Sequence, residues 1–146
     1  MTDAASADRA RFAAAVADAN IPVLLMLLVQ MTGDLRWMQA PYRPRRAIGL
    51  DDNDDGGLSS EIGSEIRAAA LDAILAWRAG RPLAIAEPDP ALLEEMLACA
   101  MAERPPEGYG EIIAEGLGLA RHSLSEPVQA PEGFRVIVIG GGASGI

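Results

Sequence analysis

The sequence predicts a mainly α-helical chain: a small domain of four to five helices, then a linker, then the first β-strand of a truncated Rossmann unit. Half of the residues are hydrophobic but only 4% are aromatic, so we expect a core of small and aliphatic side chains. Apolar residues recur at helical spacing in residues 1–120, with start and stop signals between the segments. The last residues change to an apolar run followed by glycines, which is typical of a strand that enters a nucleotide-binding turn.

Two helices are predicted at the N-terminus. Residues 3–19 contain few helix breakers and place Phe12 and Val16 four positions apart, which indicates an amphipathic helix. Asn20 then suits an N-cap, and Pro22 is tolerated in a first helical turn. A second helix therefore starts at this point.

The second helix should be the centre of the domain. Residues 23–31 are apolar at every position except Gln30. The segment is shorter than the ~20 residues that cross a bilayer, and a helix that is hydrophobic all round must be buried. We therefore expect it to be buried on all sides or to form part of an interface, with Gly33 as its C-terminal stop.

A short helical segment capped by Asp34 is expected next, before Pro41 and Pro44 force an extended passage. A long helix is then predicted over residues 59–79, ended by glycine and proline. The predicted buried stripe of this helix consists of Ile62, Ile66, Ala69, Ala70, Ala73 and Trp77.

The clearest start signal in the chain is Asp89 followed by Pro90, a capping residue with proline at the first helical position. A weaker helix, interrupted by glycine, is predicted over residues 111–120. Residues 121–133 are rich in Ser, Pro, Glu and Gln, which predicts a linker. The predicted buried face of the helix that starts at Pro90 consists of Leu92, Leu93, Met96, Leu97, Ala100 and Met101.

Charge and cysteine content exclude several classes of function. The net charge is −9, and all twelve cations are arginine, so the balance argues against nucleic acid or an anionic membrane as a partner. One cysteine and one histidine exclude a disulfide framework and disfavour a structural zinc site. We expect no metal site and no catalytic residue in the chain. The acidic, alanine-rich N-terminus does not resemble a signal peptide, so a cytoplasmic location is predicted.

The glycines at the end of the sequence carry the strongest functional signal. An uninterrupted apolar run at residues 136–139 leads directly into Gly140, Gly142 and Gly145, in the pattern G-x-G-x-x-G. Gly140 would make the tight turn, Gly142 would let the backbone approach a pyrophosphate, and Gly145 would let the helix pack on the strand. Residues 134–146 therefore predict the start of a dinucleotide-binding domain. A complete unit needs ~30 residues, so we expect this chain to be a fragment that binds no cofactor by itself.

Residues 51–56 match the first half of a calcium-binding EF-hand loop. The twelfth position of that loop should be a bidentate Glu, but it is Ile62, with Glu61 one place early. The favoured interpretation is a solvated acidic loop that leads into a helix N-terminus, with weak or no calcium binding.

Three further features favour structural interpretations. Arg43, Arg45 and Arg46 could clamp a phosphate or RNA, but in an acidic chain they more often pair with acidic loops or a partner domain. Cys99 lies among Leu, Ala and Met at helical spacing, which is typical of a small buried hydrophobe. His122 has no partner in an obvious motif and is assigned no role.

Two segments carry a family resemblance. Residues 19–25 (Ala-Asn-Ile-Pro-Val-Leu-Leu) and 31–35 (Met-Thr-Gly-Asp-Leu) resemble the N-terminal extension of hydroxyacetophenone-type Baeyer–Villiger monooxygenases. Residues 134–146 likewise resemble the start of flavin-containing monooxygenases. The resemblance implies a parent enzyme that binds FAD and NADPH and inserts oxygen next to a ketone or aldehyde carbonyl. It also implies that the extension serves dimer formation and stability.

The sequence therefore predicts a noncatalytic N-terminal region of a flavin monooxygenase. The expected partners are a second copy, in a homodimer of the parent enzyme, and the catalytic domain of the same protein. Two alternatives stay open: a free-standing helical protein-interaction module, and the N-terminus of another flavin-dependent oxidoreductase. An interaction module alone would have no reason to end in an apolar strand and a glycine motif.

Overall fold

The structure, a computed structural model, describes residues 2–46, 53–119 and 131–135. These ranges contain five α-helices and one 3-10 turn, and no strand lies within them. The mainly helical prediction is confirmed. Residues 121–130 of the predicted linker and residues 136–146 of the predicted Rossmann unit lie outside the described ranges, so both stay predictions. The helices are α1 (Thr2–Asp18), α2 (Ile21–Thr32), α3 (Ser60–Arg78), α4 (Pro90–Ala100) and α5 (Tyr109–Gly116), with the 3-10 turn at Leu35–Met38.

Both predicted ends of α2 are confirmed. The Asn20 side chain accepts a hydrogen bond from the Val23 backbone N–H, which satisfies one of the free donors at the helix start. Gly33 has a φ of 71°, and its N–H donates to the Val29 carbonyl. Glycine adopts this left-handed conformation without the steric cost that a Cβ imposes, so it closes the helix.

The same capping chemistry starts α3 and α4. Ser59 accepts a hydrogen bond from the Ile62 N–H at the start of α3, and Asp89 accepts one from the Leu92 N–H at the start of α4. Asp34 caps the 3-10 turn as predicted. After that turn, the chain makes a further turn at residues 39–42 before it becomes extended, so the extended passage begins later than expected.

The core lies around one face of α2. This helix packs against α3, α4 and the 3-10 turn, and α1 packs against α3. The residues of α2 at the centre of the core are spaced at three and four positions, as in an amphipathic helix. They are Ile21, Leu24, Leu25, Leu28 and Val29.

Of the two arrangements predicted for α2, complete burial is not observed. Val23 is 60% exposed, and Met26 and Leu27 are only half-buried. The neighbouring helices cover one stripe of α2, and the opposite side reaches solvent. The other arrangement, in which α2 forms part of an interface, stays a prediction.

Two residues of the predicted buried stripes are also exposed. Trp77 is 47% exposed and Met101 is 55% exposed. Trp77 lies in the last turn of α3, and Met101 is the C-cap of α4, so the packing of both helices against α2 ends before these positions. Elsewhere Ile66, Ala70, Leu93 and Met96 are buried as predicted, and the other stripe positions are half-buried.

The last helix is shorter than predicted. It ends at Gly116, and Gly118 follows with a φ of 70°. The Leu119 N–H donates to the Ala114 carbonyl and closes the final turn. In the part of the chain that the structure describes, no helix combines the length and the apolar composition needed to cross a membrane.

Candidate interaction surface

The predicted cofactor residues Gly140, Gly142 and Gly145 lie outside the described residues, and so does His122. Their roles stay predictions. Within the described residues, the candidate functional site is a surface of the helices.

The acidic loop is a structural connection to α2. The Asp54 carbonyl accepts a hydrogen bond from the Ile21 N–H at 2.7 Å, and its carboxylate Oδ1 accepts one from Asn20 Nδ2 at 2.9 Å. Asp55 accepts a hydrogen bond from the Gly57 N–H at 2.7 Å. These carboxylates are therefore engaged by the protein. Within the described ranges, no three His, Cys, Asp or Glu side chains converge on a possible metal position.

The arginine segment has internal partners too. An Arg43 guanidinium N–H donates to the Met38 carbonyl at 3.3 Å, the Arg45 backbone N–H donates to the Gly56 carbonyl, and Arg46 pairs with Glu103 at 3.1 Å. These contacts tie the segment to three different parts of the domain. They support the structural interpretation over a phosphate clamp.

Within the described residues, Tyr42 and Cys99 have shifted pKa values. The Tyr42 hydroxyl donates to the Glu65 carboxylate, and this bond raises the pKa of the phenol. Cys99 is fully buried, and desolvation raises the pKa of its thiol because the thiolate would lie among apolar side chains. The prediction that Cys99 is a small buried hydrophobe is confirmed.

An apolar groove lies between α4 and α5, with a volume of about 510 Å³. Met101 and Tyr109 are the exposed large hydrophobic residues of its lining, at 55% and 42%. We call this feature the α4–α5 groove. Its lining residues are Leu97, Met101, Glu103, Arg104, Pro105, Pro106, Tyr109 and Ile113.

Close backbone packing holds the two helices of the groove together. A Cβ placed on Gly110 would lie 2.0 Å from the Pro90 carbonyl oxygen, so only glycine fits at this crossing. Gly108, the N-cap of α5, supplies no side-chain cap. Glu94 of α4 takes this role, since its Oε1 accepts a hydrogen bond from the Gly110 N–H at 3.0 Å. A carboxylate at a helix N-terminus is also favoured by the helix dipole.

The surroundings of the groove are acidic. Residues 90–119 contain six glutamates and one arginine, a net charge of −5. The one arginine, Arg104, is paired with Glu95 at 3.3 Å. The lining of the groove itself contains one glutamate and one arginine, Glu103 and Arg104, and Glu103 is paired with Arg46.

The groove was not predicted from the sequence. The periodicity placed Leu97 and Met101 on a buried face, and Tyr109 was given no role. A usable signal was present, because Tyr109, Ile113 and Leu117 repeat every four residues along the last helix. Periodicity does not show whether another segment covers this side of α5. In the structure, no described segment does.

Comparison with known proteins gives one informative relationship. The chain is 41% identical over 138 residues to y4iD of Sinorhizobium fredii, which is described as an uncharacterized monooxygenase. The chain is related to a monooxygenase. The match covers 94% of this chain but 21% of the relative, so the chain spans about a fifth of the relative's length. No family model matches the sequence, and no solved structure matches it.

Proposed function

We propose that this chain is the helical N-terminal region of a larger FAD- and NADPH-dependent monooxygenase of the Baeyer–Villiger type. The observation that carries the proposal is the 41% identity to a monooxygenase over 94% of the chain. The G-x-G-x-x-G at residues 140–145 supports a dinucleotide cofactor, and the resemblance of residues 134–146 to flavin-containing monooxygenases supports FAD. The resemblance of residues 19–35 to the extension of hydroxyacetophenone-type enzymes supports oxygen insertion next to a ketone or aldehyde carbonyl.

The helical region acts as a structural part of that enzyme. The two side chains with raised pKa values both have structural roles. Cys99 is buried in the core, and the Tyr42 hydroxyl donates a hydrogen bond to Glu65. The residues that would face the FAD pyrophosphate are Gly140, Gly142 and Gly145, beyond the helices. No step of the reaction is assigned to the helices, which we infer to stabilise the enzyme and to form contacts with its other parts.

One alternative is supported by a specific observation. The α4–α5 groove is an exposed apolar surface of the kind that binds another protein, as a free-standing interaction module would. A second alternative, another flavin-dependent oxidoreductase, shares the glycine motif and differs in the reaction.

Activity of the longer protein tests the proposal. We would express the full reading frame that contains residues 1–146 and supply NADPH, ¹⁸O₂ and an aryl methyl ketone. The expected result is ketone-dependent NADPH oxidation and an ester that contains one labelled oxygen atom. A Gly142→Val variant should lose flavin and activity because its side chain blocks the approach to the pyrophosphate. The matched variant Gly116→Val, at an uncrowded helix end, should keep both.

The products separate the alternatives. Hydroxylation or NADPH-dependent reduction without an ester would indicate another flavin oxidoreductase. A reading frame without a flavin domain would indicate the interaction module and would contradict the proposal.

A further inference from the structure

The sulfur-containing residues differ widely in exposure across the described part of the chain. Met38 and Met96 are 8% and 7% exposed, and Cys99 is 0% exposed, whereas Met101 is 55% exposed. The other two described methionines are half-buried, Met26 and Met31. Among the described sulfur-containing residues, Met101 is therefore the one that a small solute reaches most readily.

The end of α4 explains why Met101 is exposed. Its backbone N–H donates to the Leu97 carbonyl at 2.9 Å, in the last hydrogen-bonded turn of the helix. Ala102 follows with a φ of 52°, so no further turn of α4 lies beside the Met101 side chain. Met101 lines the α4–α5 groove together with Leu97, Tyr109 and Ile113. Its thioether is thus both accessible and part of the apolar lining.

We propose that Met101 is a site of reversible oxidation through which hydrogen peroxide makes the α4–α5 groove more polar. A lone pair of the thioether sulfur attacks one peroxide oxygen, the O–O bond breaks, and a sulfur–oxygen bond forms. The sulfur loses two electrons to the peroxide, and the proton of the transferred hydroxyl joins the departing hydroxide as water. Methionine sulfoxide is polar, and dedicated reductases return it to methionine.

The position of Met101 in the groove gives this oxidation an effect on the surface. Met101 and Tyr109 are the exposed large hydrophobic residues of the lining, while Leu97 and Ile113 are half-buried. Oxidation at Met101 would therefore add a hydrogen-bond acceptor to a wall of the groove that solvent already reaches. Sulfoxides disrupt contacts that depend on apolar methionine side chains. Peroxide should weaken a contact made through this groove.

Cys99 is the other kind of side chain that peroxide oxidises. The thiolate is the reactive form of cysteine, and burial raises the pKa of the Cys99 thiol. Both access and ionisation therefore disfavour its oxidation in the folded chain. Met38 and Met96 belong to the same hydrophobic core as Cys99, so peroxide reaches them only when the fold opens.

The first test treats the folded 146-residue chain with hydrogen peroxide and follows each methionine by peptide mass spectrometry. Met101 should oxidise about tenfold faster than Met38 and Met96, because the buried methionines react only through opening of the fold. In urea the three methionines should react at similar rates, since the difference comes from burial. Equal rates in the native chain, or a difference that persists in urea, would overturn the proposal.

The second test measures surface hydrophobicity by hydrophobic-interaction chromatography of the native samples. Peroxide should make the wild-type chain elute earlier, and treatment with methionine sulfoxide reductases should restore its original elution. The matched variant is Met101→Leu, which keeps an apolar side chain without sulfur and should shift much less. Met1, outside the described residues, is present in both proteins, so the comparison removes its contribution. An unchanged elution of the wild-type chain, an equal shift in both proteins, or a shift that the reductases do not reverse would overturn the proposal.

Discussion

Gly110 shows at the scale of one residue how the two helices of the groove are fixed. The position that a Cβ would occupy lies 2.0 Å from the Pro90 carbonyl oxygen and 2.8 Å from Glu94 Cγ. A side chain there must push α5 away from the start of α4. Because the clash is with backbone, a change of rotamer cannot relieve it.

We predict that Gly110→Ala lowers the free energy of unfolding by ~1–3 kcal/mol, the usual cost of overpacking. Urea unfolding followed by circular dichroism measures this. Gly116→Ala is the matched control on the same helix, because nothing lies within 4 Å of its Cβ position. It should be neutral or stabilise by up to ~1 kcal/mol, since alanine favours helix. Equal effects of the two substitutions would contradict the packing described for Gly110.

Cys99 gives a prediction about pH. Burial raises the pKa of its thiol in the folded chain above that of the unfolded chain. As the pH rises, the unfolded state therefore loses the proton first and binds fewer protons than the folded state. This contribution to stability is fully present below the unfolded thiol pKa, near ~8.5, and is lost as the pH rises through the folded value.

The measurement is the free energy of unfolding between pH 7 and pH 9.5. The wild-type chain should lose stability above about pH 8.5, and Cys99→Ala should lose less over the same range. A thiol reagent should also react with Cys99 slowly in the native chain and rapidly in urea. Parallel pH profiles for the two proteins, with fast labelling of the native chain, would contradict the buried thiol.

At the scale of elements, the loop before α3 holds the start of α2. Asn20 caps α2 through its side-chain oxygen and donates to Asp54 through its side-chain nitrogen. The Asp54 carbonyl also accepts the Ile21 N–H. One amide side chain therefore joins two elements that are 34 positions apart in the sequence.

A double-mutant cycle tests this connection. Asn20→Ala removes both bonds and should cost ~1–2 kcal/mol of stability, at the upper part of the range for an N-cap. Asp54→Ala removes only the side-chain bond and should cost less. The two effects should be less than additive, because each variant removes the same Asn20–Asp54 bond. Strict additivity in urea unfolding would show that the two side chains do not interact.

The sequence predicted the features that depend on local chemistry. Asn20, Gly33 and Asp89 act at helix ends through neighbours within four residues, and their capping chemistry was visible without a structure. The exposure of a side chain depends on which elements pack against each other, and periodicity does not contain this information. Trp77 and Met101 were therefore predicted to be buried, but the core does not extend to them. Periodicity defines the apolar face of a helix but does not reveal whether another element covers it.

The interaction surface was therefore only partly predictable. The glycine at position 110 could be read from the sequence, but its contact with Pro90 depends on how α4 and α5 cross. The acidic loop was predicted as a solvated loop before a helix, and that loop does precede α3. Its hydrogen bonds to α2 are long-range in sequence, so no local pattern predicted them.

At the scale of the whole molecule, the homodimer of the longer protein stays a prediction. Its basis is the family resemblance, together with the expectation that the apolar α2 forms part of an interface. The structure buries the core side of α2 and leaves Val23 as its exposed large side chain. We expect light scattering at tens of micromolar to give the mass of a dimer for the longer protein. A monomer would contradict the predicted dimer.

The central claim is that these helices belong to a flavin monooxygenase whose cofactor site begins at Gly140. The most direct test compares the flavin content of the longer protein with that of residues 1–146, each purified under the same conditions. The longer protein should carry stoichiometric FAD with the absorbance of oxidised flavin, and residues 1–146 should be colourless. A folded longer protein without flavin, or stoichiometric FAD bound to residues 1–146 alone, would contradict this account.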